Sequence, residues 1–115
     1  MSSIELDHYD NDNKMIVVVR GDINSASAPE FGSYLKEAIG HSGHGRIILD
    51  MSGVQYMSSA GLREIVGGLK LAQRAGGNLV IAGLQERLRL VLDISGLPTI
   101  SKIFDSVEDA VENFS

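Results

Sequence analysis

Apolar residues in this chain recur in short blocks whose spacing alternates between strand-like and helix-like, with polar or glycine-rich breaks between them. Residues 4–9 and 15–20 predict two strands, the second being Met15-Ile16-Val17-Val18-Val19-Arg20, joined by the polar turn Asp10-Asn11-Asp12-Asn13-Lys14. Together they imply an antiparallel hairpin. Ser27 or Ala28, with Pro29 at the first helical position, opens a helix whose buried stripe is Phe31, Leu35, Ala38 and Ile39. The segment 40–45 reads as a flexible link into Arg46-Ile47-Ile48-Leu49-Asp50-Met51, an apolar run short enough for a strand buried on both faces. From about residue 60 to 74, Leu62, Ile65, Val66, Leu69 and Ala72 keep helical spacing. Gly67 and Gly68 interrupt that helix at a cost of about 1 kcal/mol each relative to Ala, which implies close packing against a neighbour. Leu79-Val80-Ile81-Ala82 predicts a strand, and Leu84, Leu88, Val91 and Leu92 predict one face of a third helix that ends near residues 95–98. Residues 100–104 predict a short last strand, and Val107, Ala110, Val111 and Phe114 a closing amphipathic helix. The order is β-β-α-β-α-β-α-β-α, an α/β class with a mixed sheet: an antiparallel N-terminal pair and a parallel remainder joined by crossovers, in one domain over 1–115.

Composition narrows what such a fold can do. With 115 residues, 43% apolar side chains and no tryptophan, the core must be built from Ile, Leu, Val and Ala. A net charge of −5 and a pI near 5.0 disfavour direct contact with nucleic acid or anionic lipid. Cysteine is absent, which removes disulfides, thiolate metal sites and thiol nucleophiles and suits a reducing cytoplasm. The N-terminus lacks a signal pattern and no apolar run reaches the length of a membrane span, so a soluble, cytoplasmic protein is expected.

Several catalytic and metal patterns fail on their spacing. The acidic turn at 10–14 lacks the glycine and glutamate positions of a calcium loop, where Met15 and Gly21 stand instead. Gly40 to Gly45 follows a helix and opens a strand, the reverse of a phosphate-cradling loop, and its His41 and His44 have only His8 for company. Ser59-Ala60-Gly61 looks like half of a nucleophile elbow, but Met57 occupies the required first glycine and all three histidines lie upstream. Ser33-Tyr34-Leu35-Lys36 has no companion motifs. No enzyme, metal or cofactor is expected. Chemistry concentrates instead where Ser58 and Ser59 meet the start of a helix, a place that suits an ordinary N-cap and, through the helix dipole, an anion.

The stretch from Leu49-Asp50-Met51-Ser52 through Tyr56-Met57 to Ser59-Ala60-Gly61-Leu62 resembles the signature of the STAS domain, in particular the free-standing bacterial anti-sigma factor antagonists. Gly21-Asp22-Ile23-Asn24 resembles the family's loop before its first helix, with Asn24 in the place of the usual acid. The element order resembles that family over nearly the whole chain. The resemblance implies a STAS fold and puts Ser59 on the phosphorylated serine, with Ser58, which replaces a frequent Asp, as the second candidate hydroxyl. It implies partner contacts from Asp22, Asn24, Ser25, Tyr56, Ser58, Ala60, Gly61 and Leu62, and the chemistry of Met57 and Arg63 makes them candidate anchors beside the serine, with a core Met57 and a solvated Arg63 as the alternative. The implied function is partner switching in transcription control. The unphosphorylated form binds an anti-sigma factor that is also a serine kinase of the histidine-kinase-like ATPase type, releasing its target, and a PP2C-type serine phosphatase resets the modified form. A STAS scaffold within a larger signalling assembly, with an output other than a sigma factor, is the alternative. A small-ligand sensor is disfavoured by the shortage of aromatic side chains.

Overall fold

The computed structural model describes residues 4–96 and 101–114. Its elements are β1 (Ile4–Asn11), β2 (Lys14–Gly21), α1 (Ala28–Ser42), β3 (Arg46–Gly53), α2 (Ser59–Arg74), β4 (Asn78–Ala82), α3 (Glu86–Ser95), β5 (Ile103–Phe104) and α4 (Val107–Glu112), in the order the apolar spacing predicts. The five strands form one sheet in sequence order. β1 and β2 are antiparallel and every later pair is parallel. Short apolar runs form the central strands because each is covered on both sides: Val17, Val19, Ile47, Leu49, Leu79 and Ile81 meet α1, α2 and α3, while Ile16, Val18, Ile48, Val80 and Ala82 meet α4.

The differences from the sequence expectation are local. The hairpin turn is tighter than residues 10–14: Asp12 and Asn13 alone form it, with φ of 53° and 62°. Asn and Asp tolerate that left-handed conformation, and two such residues match the twist of the flanking strands. α1 starts at Ala28, one residue before Pro29, and runs on to Ser42, so the glycine-rich link shrinks to three residues. Ser42 Oγ closes that end by donating to the Ile39 carbonyl at 2.6 Å.

Of the two mid-helix glycines, only Gly68 is there for packing. A Cβ on it would stand 2.6 Å from Leu35 Cδ2, so α1 and α2 touch through the glycine, whereas a Cβ on Gly67 would meet open space. Val91 is a correction of greater consequence, because it is exposed, and only Leu88 and Leu92 of α3 are buried. The short helix docks by one narrow strip, and a residue about 100° round the helix from Leu92 falls outside it. Leu84 is half-buried before the helix begins. α3 ends at Ser95 with Gly96 as its left-handed C-cap, within the expected range, of which Leu97 and Pro98 lie outside the described residues; the last strand holds Ile103 and Phe104, and its expected start at Ile100 lies outside them too.

Candidate functional site

Parallel strands deliver the loops that follow them to one end of the sheet, and two of those loops are joined there. β3 ends in a turn organised by Asp50, whose Oδ1 accepts from Ser52 N–H at 3.0 Å and Ser52 Oγ–H at 2.8 Å. The chain then passes buried Val54 and meets the loop after β2. Ile23 N–H donates to the Tyr56 carbonyl at 2.9 Å, and Ser58 N–H donates to the Ile23 carbonyl at 2.7 Å. This isolated parallel bridge between Ile23 and Met57 brings together two segments more than thirty residues apart in sequence. Both side chains are buried and close on Gly61, where an added Cβ would come within 2.6 Å of Ile23 Cγ2 and 2.8 Å of Met57 Cγ. Glycine at 61 is therefore required for the first turn of α2 to sit against the bridge.

The loop after β2 is tied internally as well. Asn24 Oδ1 accepts from Ala26 N–H at 3.0 Å and Ser27 N–H at 2.9 Å. Buried Ser27 Oγ accepts from Asn24 N–H at 2.9 Å and donates to the Asp22 carbonyl at 2.9 Å. Asn24 thus spends its side-chain oxygen on its own loop, and Asp22, Ser25 and Ala26 are the exposed residues there.

At the head of α2 the two serines divide the work. Ser58 is the N-cap: its backbone is extended and its Oγ accepts from Gly61 N–H at 3.2 Å. Ser59 is the first helical residue, exposed, and its hydroxyl makes no hydrogen bond with the described residues. Replacement of Ser58 by Ala is expected to destabilise the fold by about 1 kcal/mol in denaturant unfolding, and Ser59→Ala by less than about half that, because only the first removes a bonded cap.

Of the other residues implicated by sequence, Tyr56 (53% exposed) and Arg63 face solvent, and Ala60 and Leu62 are half-buried. Met57 is 7% exposed, so its part is to support the serines from beneath rather than to offer surface. The sequence reading missed three contributors. Ile23 is the joint of the two loops, signalled in the sequence only as the apolar position of the Gly21-Asp22-Ile23-Asn24 motif, with no sign of a joining role. Val91 and Leu92 of α3 were assigned wholly to the core, yet with Met57, Ser58, Ser59 and Leu62 they line a notch of about 150 Å³.

Two of the three histidines are engaged elsewhere. His8 Nδ1 lies 2.7 Å from Tyr34 Oη, and His44 Nδ1 accepts from Arg46 N–H at 2.9 Å at the opposite end of β3, roughly 25 Å of strand away. Among the described residues no three His, Asp or Glu side chains gather as a metal cluster. Nor is any helix among them long and apolar enough to cross a membrane.

The sequence matches the family described as STAS domain over residues 3–110. This chain belongs to the STAS domain family. Its relatives include the anti-sigma-B factor antagonist of Bacillus subtilis, 34% identical over 110 residues that make up 96% of this chain and 99% of the relative. An anti-sigma factor antagonist from Mycobacterium paratuberculosis has a crystal structure similar to this STAS domain, with a TM-score of 0.85 at 20% identity over 97% of each chain. SpoIIAA has the same fold in its unphosphorylated form (TM-score 0.69, 14% identity, 95% and 94% of the two chains) and in its phosphorylated form (TM-score 0.66, 17% identity, 95% and 96%). In the STAS frame the mixed five-stranded sheet and four helices are the family architecture.

Proposed function

We propose that this STAS domain is a non-enzymatic anti-sigma factor antagonist whose partner binding is controlled by phosphate on Ser59. One observation carries the choice of residue: Ser59 is exposed with its hydroxyl unbonded among the described residues, while its neighbour Ser58 is committed to capping α2. A kinase can reach and modify Ser59 without breaking a hydrogen bond of the fold. The antagonist role is supported by the Bacillus subtilis relative, which is named for it and aligns over almost the whole of both chains. SpoIIAA supports the compatibility of this fold with both states, since it adopts it with and without phosphate.

In the cytoplasm, the unphosphorylated protein binds an anti-sigma factor of the histidine-kinase-like ATPase type and so frees the target which that factor holds. The same partner phosphorylates Ser59, and a PP2C-type phosphatase removes the phosphate. The binding face is made of Asp22 and Ser25 from one loop, Tyr56 from the other, and Ser59 and Arg63 from α2, with Met57, Asn24, Ser58, Ala60, Gly61 and Leu62 setting their positions. Phosphate adds about −1.5 to −2 charge and is tolerated at a helix N-terminus in water, so it changes the surface and leaves the fold.

The test is peptide mass spectrometry on protein from its native cells with dephosphorylation blocked. Phosphate is expected on Ser59 and absent in Ser59→Ala; phosphate on Ser58 alone, or on neither serine in any growth condition, contradicts the reading.

A further inference from the structure

α3 carries more apolar surface than its docking uses. Leu90 is 61% exposed, Val91 50% and Ile94 89%, while Leu88 and Leu92 hold the helix to the core. At 100° per residue, Leu90, Ile94 and Val91 fall within about 100° of arc with Arg87 in its middle, and the acids Glu86 and Asp93 fall beside that arc, on the side away from Val91. The stripe is continuous with the phosphorylation site, because Val91 lines the notch of about 150 Å³ whose other walls are Ser58, Ser59, Met57, Leu62 and Leu92. Any protein that covers Ser59 therefore lies against Val91.

Two cations frame this surface. Arg63, one turn along α2 from Ser59, and Arg87, within the stripe, are exposed and have no ion pair among the described residues, whereas Arg89 is held by Asp105 at 3.1 Å. On a molecule of net charge −5 they make this a place where an acidic surface can approach.

From this continuity and charge we infer that the α3 stripe is the second half of the partner face, and that its occupant is the same protein that recognises Ser59. That partner presents one aliphatic side chain to the notch and carries carboxylates opposite Arg63 and Arg87. The inference rests on the reading of Ser59 as the regulated residue and adds the chemistry of the partner's surface. It also explains how one phosphate reaches so far: the new dianion stands on the rim of the apolar notch and faces the partner's own carboxylates, so desolvation and like-charge repulsion act together. A second copy of this chain is the weaker occupant. A stable interface needs about 20–30 residues a side, and α3 alone falls short of that, while the serine loops and α3 together approach it.

The experiment measures binding of the purified cognate anti-sigma factor by calorimetry to wild type, Ile94→Ser, Val91→Ser, Arg87→Glu and Ser59→Asp. The substituted side chains are exposed, so unchanged unfolding curves are expected. Ile94→Ser and Val91→Ser should each weaken binding at least about tenfold, and Arg87→Glu by a similar factor that shrinks at high salt. Wild-type affinity in both apolar variants alongside loss in Ser59→Asp overturns the α3 surface and leaves the switch standing. Loss in the α3 variants with full affinity in Ser59→Asp does the reverse. Wild-type affinity in Arg87→Glu overturns the acidic character assigned to the partner. A wild-type dimer that Ile94→Ser dissolves, without effect on partner binding, assigns the stripe to self-association and overturns the inference.

Discussion

Ser59→Asp is expected to fold as the wild type does and to bind the anti-sigma factor about a hundredfold more weakly, a loss of about 2.7 kcal/mol. The fold is spared because residue 59 is exposed at the first position of α2, where a carboxylate is favoured by the helix dipole by about 0.3–1 kcal/mol. The interface is not spared, since a charge accommodated in water must be desolvated when the partner closes over it. Authentic phosphoserine at 59 should cost more, about a thousandfold, because it carries up to twice the charge. Ser59→Ala should keep wild-type affinity and bind irrespective of kinase. Calorimetry on the three forms decides the matter: equal affinities for Ser59→Asp, Ser59→Ala and wild type would remove Ser59 from the interface.

Ile23→Ala is expected to destabilise the protein by about 3 kcal/mol, lowering Tm by roughly 10 °C, and to weaken partner binding together with stability. Ile23 is fully buried, its backbone makes both hydrogen bonds that join the two site loops, and its side chain lies against Gly61. Truncation leaves a cavity under the head of α2, and the first turn that presents Ser59 loses its support. Ile23→Val, which keeps the branch at Cβ, should cost only about 1 kcal/mol. Denaturant unfolding measures the first effect and partner titration the second. Loss of less than about 1 kcal/mol in the alanine variant would show that the loops are held by other contacts.

The element order was legible in the sequence because the strands and helices are separated by strong breaks and the apolar period changes cleanly at each. Ile47, Ile48 and Leu49, apolar in succession, could only be a strand covered on both faces, and the structure covers them with helices on each side. The serine pair was legible because a strand, a loop and a helix start follow in one order around it. What separated Ser58 from Ser59 was not legible: both are polar and adjacent, and only the path of the backbone decides which hydroxyl faces Gly61 N–H. Ile23 was hidden for a related reason, since a long-range bridge leaves no periodicity. α3 was misread because Leu88, Leu90, Val91, Leu92 and Ile94 spread round the helix, and periodicity alone does not say which strip docks. The excess was the signal: a short helix at the margin of a sheet cannot bury that many large side chains.

The bonded loops around Ile23 carry one last consequence, which concerns time. A segment whose backbone is already fastened has no slow rearrangement to complete when a phosphate arrives or leaves. Under the proposed switch, the share of chains available to the partner then follows the ratio of kinase to phosphatase flux without a loop having to refold. A population of such molecules works as a running gauge of that ratio, and the response time of the pathway belongs to the two enzymes that write and erase the mark.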